Sequence, residues 1–136
     1  MAYQTEWTKQ CVKVSYFGNC SEADVLKVVI EIQADCRFDS THQALHDFTR
    51  CQSLVSVPDV LEQIAVHNVG AAISNPNLRI AVIAEHPDVL NMLERFASLG
   101  LGSYPMRVFR TAESALVWLD GASKYSRMRF ATPPYG

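Results

Sequence analysis

The chain has 136 residues, of which 49% are hydrophobic and 19% charged, a balance that predicts a globular domain and excludes a disordered chain. No signal sequence opens it, and no apolar run approaches the ~18 residues that cross a bilayer, so we expect a soluble cytoplasmic protein without a transmembrane segment. Three of the twelve basic side chains lie in residues 121–136, which leaves nine against fourteen acidic ones, or −5, on the other 120 residues. Such an acidic body argues against nucleic-acid binding.

The N-terminal part is predicted to form a β-hairpin followed by a helix. Residues 10–17 alternate apolar and polar side chains with a period of two, and residues 3–7 do so as well, with a turn near residues 8–9. Ser21 then has the position of an N-cap, with Asp24 in the first helical turn facing the positive helix end. We expect this helix to end near residues 34–35.

The middle of the chain is predicted to form a second strand at about residues 44–48 and a helix over about 57–74. Ser56 is expected to be the N-cap of this helix, with Asp59 at its third position. The sequence S-N-P at 74–76 ends the helix, because proline disfavours a helical residue before it. Four cysteines, at positions 11, 20, 36 and 51, have no metal-type or C-x-x-C spacing, so we expect free buried thiols.

The C-terminal part continues the alternation of strands and helices. Residues 78–84 are almost continuously apolar, as in a parallel strand covered on both faces. A helix follows with Pro87 in its first turn and Gly100 after its last one. A short strand at 106–109 precedes a helix that begins after Thr111 and is expected to end at Gly121.

This order predicts a single-domain α/β fold with a mainly parallel sheet of four or five strands, the first in an antiparallel hairpin, and about four helices. We assign residues 1–120 to the domain. Residues 121–136 have two consecutive prolines and interleave basic with aromatic side chains, so they are expected to form a C-terminal tail.

Several short motifs resemble a family. They are R-F-D at 37–39, D-F-T at 47–49, S-N-P at 74–76, A-V-I-A at 81–84 and V-F-R-T-A-E-S-A-L-V-W-L at 108–119. In their order and spacing they resemble bacterial STAS-like proteins, relatives of the anti-sigma-factor antagonists that are often called STAS/SEC14 domain proteins. The resemblance covers about residues 10–120. It implies a small α/β domain that works by binding.

The resemblance also implies a candidate site. In the antagonists, a strand that ends in an Asp-Leu-Ser-like triplet leads to a serine whose phosphorylation switches off partner binding. Asp47, Phe48 and Thr49 match the triplet, and Ser56 lies nine residues after Asp47, as the phosphorylated serine does. The antagonist pattern Asp-Ser-Ser-Gly is absent here, because Val55 and Val57 flank Ser56. The candidate partner-binding or phosphorylation surface comprises Asp47, Thr49, Arg50, Ser53 and Ser56.

Other functional interpretations of these residues are weaker. We do not expect Asp47 to be the phospho-acceptor of a receiver domain, since no acidic pair follows the first strand and no lysine follows the last one. A turn-capping role for Asp47 is expected instead. His42 and His46 are four residues apart, but the context is a loop and a strand, so neither a metal nor another cofactor is expected. No G-x-S-x-G motif or phosphate-binding glycine loop is present.

We therefore expect a non-enzymatic bacterial regulatory or scaffold domain, homodimeric and acting through a protein partner. Phosphorylation of Ser56 is one hypothesis, and a plain helix cap is the other. An alternative function, implied by the SEC14-like side of the resemblance, is a carrier or sensor of a small apolar ligand or lipid.

Overall fold

A five-stranded sheet in the strand order β1-β2-β3-β4-β5 is the centre of the structure, a computed structural model that describes residues 2–127. The strands are β1 (Tyr3–Thr8), β2 (Cys11–Ser21), β3 (Gln43–Val55), β4 (Arg79–Ile83) and β5 (Met106–Phe109). The helices are α1 (Glu22–Ala34), α2 (Val60–Ser74), α3 (Pro87–Ser98) and α4 (Ala112–Arg127), with a 3-10 turn at Phe38–Ser40. β1 pairs antiparallel with β2 and all other pairs are parallel. The predicted α/β class, the mainly parallel sheet and the N-terminal hairpin are confirmed.

The sheet is covered on both faces, as the apolar sequence of β4 predicts. α1, α2 and α3 pack on one face, where Val82 of β4 belongs to the larger apolar core. α4 packs on the other face, where Ala81 and Ile83 of β4 contact Ala115 and Leu119. Successive residues of β4 thus serve different cores, because side chains alternate across a strand.

Local signals in the sequence set most helix ends. The Ser21 hydroxyl accepts the backbone N–H of Ala23 at 3.0 Å, and the Ser21 N–H donates to the Asp24 carboxylate at 2.9 Å, which completes a capping box. Thr111 accepts the N–H of Ser114 at 3.1 Å at the start of α4. Gly100 follows α3 with φ of +66°, the left-handed conformation expected after a helix.

The predicted ends of two central strands were wrong. β2 was predicted over residues 10–17 but continues to Ser21, and β3 continues to Val55 instead of ending at Phe48. The two strands extend together, because each supplies the backbone hydrogen bonds of the other. Gly18 remains in the strand with φ of +73°, a conformation that glycine adopts without strain.

The predicted start of α2 was also wrong. The helix begins at Val60 and not at residue 57, and Ser56 is not its N-cap. Asp59 occupies the cap position in a left-handed conformation with φ of 67°, and its side chain caps no N–H group. The physical reason is that β3 is longer than predicted, so the turn into the helix is displaced toward the C-terminus.

α4 is longer than predicted, since it continues through Gly121 to Arg127. Glycine inside a helix costs only about 1 kcal/mol relative to alanine, which the helix formers on either side can offset. Part of the predicted tail is therefore helical, and its remainder, residues 128–136, lies outside the described residues. The division of the chain at residue 120 stays a prediction.

The S-N-P motif does more than end α2. Asn75 is buried, and its side-chain amide donates to the carbonyl oxygens of Phe38 and Thr41, both at 2.8 Å. Tyr104 in turn donates its hydroxyl to the Asn75 carbonyl at 2.8 Å. One asparagine thus ties the 3-10 turn, the end of α2 and the loop before β5 together, satisfying polar groups that would otherwise be buried without partners.

Aromatic rings from β2 and β3 form a stack on the sheet face beneath α1–α3. Tyr16 lies between Phe48, with ring centroids 4.1 Å apart, and His46, with centroids 5.9 Å apart. The Tyr16 hydroxyl and Nδ1 of His46 are hydrogen-bonded at 2.9 Å. Burial lowers the pKa of His46 to about 4, so the imidazole is neutral at physiological pH.

The neutral His46 predicts a loss of stability in mild acid. In the unfolded chain the pKa of His46 is about 6.5. Below that pH the unfolded state binds a proton that the folded state does not bind. We expect this residue to lower the free energy of unfolding by about 3 kcal/mol as the pH falls from about 6.5 to about 4. Urea unfolding across this pH range measures the effect.

The control is the double variant His46→Phe with Tyr16→Phe, which keeps both rings and removes both polar partners together. Its stability should depend less steeply on pH between about 4 and 6.5. Parallel curves for the two proteins would show that His46 is not the titrating group.

Candidate functional site

The candidate site lies where β3 extends beyond the neighbouring strand. β4 pairs with β3 only as far as Asp47, opposite Ile83, whereas β2 stays paired with β3 up to Val55. From Arg50 onward the two strands form a two-stranded extension at the carboxyl edge of the sheet. Open α/β sheets bind ligands at this edge.

Two bulges shape the extension. Between the pairs Ser15–Asp47 and Phe17–Arg50, β2 advances by two residues and β3 by three. At this first bulge the Asp47 carboxylate accepts both the backbone N–H of Thr49, at 2.9 Å, and its hydroxyl, at 2.7 Å. Asp47 therefore holds the irregular backbone in the way that aspartate holds a turn, as its sequence position suggested.

After the first bulge exposed and buried side chains alternate, with Arg50 and Gln52 exposed, Ser53 half-buried, and Cys51 and Leu54 buried. The Arg50 guanidinium is exposed and lies 5.9 Å from the ring centroid of Phe17 on β2. The Ser53 hydroxyl donates to the side-chain oxygen of Asn19 at 2.8 Å, across the two strands. A second bulge precedes Ser53, since the pairs Gly18–Cys51 and Asn19–Ser53 again leave one extra residue on β3.

Ser56 has a partner that its sequence position did not suggest. Its hydroxyl donates to Oε1 of Glu22 at 3.4 Å, and the backbone N–H of Val57 donates to the same oxygen at 3.1 Å. The Ser56 residue is exposed, while Glu22 is fully buried. The connection from β3 to α2 is thus held by a carboxylate at the start of α1.

The other carboxylate oxygen of Glu22 is paired with a cation from α3, a helix on the same face of the sheet. The Arg95 guanidinium of α3 donates to Oε2 of Glu22, and Arg95 itself keeps a side-chain exposure of 40%. The carboxylate is the first residue of α1, where the helix dipole also favours a negative charge. Asp88 at the start of α3 adds a parallel contact, since it accepts the Leu54 N–H at 3.2 Å.

The structure therefore places the predicted site residues along one segment, in two environments. Asp47, Thr49, Arg50 and Ser53 lie on the two-stranded extension, and Ser56 lies in the following connection beside Glu22. We call these five residues the β3-end surface. Glu22, Arg95 and Asp88 were missed, because an acid at a helix start normally faces water and nothing in the sequence joins residues 73 positions apart.

Other chemistry suggested by residue type is not assembled in the part of the chain that the structure describes. No group of three His, Cys, Asp or Glu side chains within residues 2–127 is arranged to hold a metal ion. All four cysteines are free thiols, with Cys20 and Cys51 buried, Cys11 half-buried and Cys36 exposed. Among the described helices, none has the length and apolarity to span a membrane.

The Glu22–Arg95 pair predicts a strong, localised effect on stability. Glu22→Gln keeps an acceptor for the Val57 N–H but leaves Arg95 without its counterion, and we expect a loss of about 2 kcal/mol in the free energy of unfolding. A double-mutant cycle with Arg95→Gln, measured by urea unfolding, isolates the coupling.

The matched control is Asp35→Asn, which removes the carboxylate of the exposed Asp35–Arg37 pair at 2.8 Å. Water screens that pair, so a much smaller change is expected. A coupling between Glu22 and Arg95 that is no larger than that of the surface pair would contradict the assignment.

No family model matches the chain, and no curated protein matches it either. The chain is, however, similar to several solved structures. The anti-sigma factor antagonist SpoIIAA in its unphosphorylated form is 17% identical, with a TM-score of 0.56 over 88% of this chain and 99% of that one. The phosphorylated form of SpoIIAA, described as a Bacillus cell fate determinant, is 19% identical, with a TM-score of 0.55 over 87% and 99%.

A third similar structure is an uncharacterized protein of the DUF3478 family with a SpoIIAA-like fold from Shewanella loihica PV-4. It is 15% identical, with a TM-score of 0.51 over 87% of this chain and 92% of that one. These similarities agree with the strand order and helix placement described above. The STAS-like resemblance of the sequence is thus confirmed at the level of the fold, which is that of SpoIIAA.

Proposed function

We propose that this protein is a non-enzymatic bacterial regulator that binds a protein partner through the β3-end surface. The observation that supports it most directly is the extension of β2 and β3 beyond the sheet, which presents Thr49, Arg50 and Ser53 to solvent on a braced backbone. Proteins with this fold include an anti-sigma factor antagonist. A cytoplasmic location is part of the same proposal.

The arrangement of the surface suits binding better than catalysis. One carboxylate oxygen of Asp47 accepts both hydrogen bonds from Thr49, and the Ser53 hydroxyl donates to Asn19. These polar groups therefore hold the backbone and one another in place. His46, the imidazole nearest along the chain, points into the interior and bonds Tyr16. Among the described residues no imidazole is hydrogen-bonded to the serine or threonine hydroxyls of the surface. The carboxylates that accept the Thr49 and Ser56 hydroxyls also each accept a backbone N–H group, which is a structural role.

Phosphorylation of Ser56 is the regulatory part of the proposal. A phosphate on this hydroxyl would bring about two negative charges beside the buried Glu22 carboxylate, which now accepts the hydroxyl. The half-exposed Arg95 is already paired with the same Glu22. Phosphate and Glu22 would compete for it, which loosens the connection between β3 and α2 and changes the surface.

Affinity capture from the native host, followed by quantitative mass spectrometry, tests the surface. Arg50→Glu should abolish capture of a partner that the wild type retains, because it reverses a charge at the centre of the surface. Lys27→Glu makes the same charge change at an exposed position of α1 and should leave capture intact. Loss with both variants, or with neither, would contradict the proposed surface.

The same capture tests the switch with two isosteric variants. Ser56→Asp adds a charge beside Glu22 and should release the partner, whereas Ser56→Asn adds none and should retain it. Identical partner sets for the two variants would leave Ser56 without a regulatory role.

We further propose that the protein is a homodimer. The outer face of α2 exposes Val66, Val69 and Ile73, one helical turn apart, with 66%, 50% and 84% of each residue accessible. The inner face of the same helix is buried in the core, so α2 carries apolar side chains on an outer face as well as on its inner one. Such a face supports contact with a second copy.

Sedimentation velocity tests the dimer. The wild type should sediment as a dimer at micromolar concentration, and Ile73→Glu should sediment as a monomer, because it buries a charge in the contact. Glu113→Lys, a charge change in the first turn of α4 on the opposite face of the sheet, is the control and should remain dimeric. A monomeric wild type would refute the proposal.

A further inference from the structure

A cavity lies between the sheet and the three helices that cover one of its faces. Its volume is about 80 Å³, and it is lined by α1, α2, α3 and the facing side chains of β3, β4 and β5. At roughly 10–15 Å³ for each water-sized group, it has room for a molecule of about six non-hydrogen atoms. This is a different part of the molecule from the β3-end surface.

The lining is apolar apart from a few uncharged groups. Among the described residues no Asp, Glu, Lys or Arg lines the cavity, and its polar members are His46, Gln33 and Asn68. Gln33 and Asn68 bond each other, since the Gln33 side-chain N–H donates to the Asn68 oxygen at 2.8 Å. A charged ligand would find no counterion here and is excluded by its desolvation cost.

His46 contributes an available polar atom to the lining, in addition to the amide atoms of Gln33 and Asn68 that their mutual bond does not use. The Tyr16 hydroxyl is completely buried and bonds only Nδ1 of His46 among the described residues, at 2.9 Å. A buried hydroxyl hydrogen needs an acceptor, so Tyr16 donates to Nδ1. Because the ring is neutral, its own hydrogen is then on Nε2, which becomes a donor.

The Nε2–H group has no hydrogen-bond partner among the described residues. No side-chain nitrogen or oxygen in that part of the chain is both sealed from solvent and unpaired, so Nε2 reaches open space. His46 is half-buried and its ring lines the cavity, so the space that Nε2 reaches is part of the cavity. A donor inside an apolar cavity favours a ligand that is apolar and has one hydrogen-bond acceptor.

We propose that this cavity binds a small uncharged molecule that is mostly apolar and carries one acceptor oxygen, such as a ketone or an ester, which accepts the hydrogen bond of His46 Nε2. This agrees with the apolar-ligand alternative drawn from the sequence but not with a lipid, whose chains exceed the space. The proposal goes beyond the protein-binding function and is independent of it.

Nuclear magnetic resonance with matched probes tests the proposal. The methyl groups of Met92 and Met106, which line the cavity, report occupation, and the ring nitrogens of His46 report the tautomer and the hydrogen bond. The probes are cyclohexanone, which carries an acceptor oxygen, and toluene, which is of similar size and has no comparable acceptor. Cyclohexanone should cause saturable shifts of both methyls and of the Nε2–H signal.

The hydrogen bond should make cyclohexanone bind roughly threefold to tenfold more tightly than toluene, the fold-change expected for one net hydrogen bond. In the double variant His46→Phe with Tyr16→Phe this preference should vanish while the cavity remains. The amide spectrum of α4, on the opposite face, checks that the variant is folded.

Three results would overturn the proposal. Methyl signals that neither probe shifts would show that the space is a packing gap. Equal affinity for both probes in the wild type would remove His46 as the anchor. A preference for cyclohexanone that persists in the double variant would place the hydrogen-bond donor elsewhere.

Discussion

The parallel pairing of β2 with β3 is the constraint on which the rest of the structure depends. It holds for the full length of both strands, whereas every other pair in the sheet is shorter. Within the sheet it brings Tyr16 beside His46 and Phe48 and so builds the aromatic floor of the core. Beyond the sheet it carries the backbone outward without support from β4, which creates the β3-end surface.

A two-stranded extension is weak by itself, because isolated hairpin-like pairs are marginal in water. Two carboxylates from helix starts compensate here. Asp88 accepts an N–H that β4 no longer pairs, and Glu22 accepts one from the following connection. Both anions lie at positive helix ends, so the same helix geometry that stabilises them also anchors the extension. The surface is thus rigid for a segment that lies outside the main sheet.

The sequence predicted those parts of the fold that depend on neighbouring residues. Strand alternation, the capping box at Ser21 and the left-handed Gly100 all act within a few positions, and all were found. The predictions that failed concern element ends that are determined by residues distant in the sequence. β3 continues past Phe48 because β2 is there to pair with it, and the beginning of α2 moves as a result.

The candidate site shows the same division. Asp47 and Thr49 were singled out by their match to the antagonist triplet, and their contact spans only two residues. The partner of Ser56 is 34 positions away, and no local pattern indicates it. Ser56 was assigned a helix cap on local grounds, and the structure gives it a buried glutamate instead. Charge pairs between separate helices, such as Glu22 with Arg95, leave no pattern in a single sequence.

The bulges of β3 have a consequence for comparing this chain with others of its fold. Each adds one residue to β3 without lengthening β2, so the two strands keep their contacts while their numbering drifts apart. A relative that lacked one bulge would place its serine at the same point in space after a shorter count from its aspartate. Serines of two proteins with this fold are therefore equivalent when they lie at the same place beside the first helix. An equal number of residues between aspartate and serine neither establishes nor excludes that equivalence.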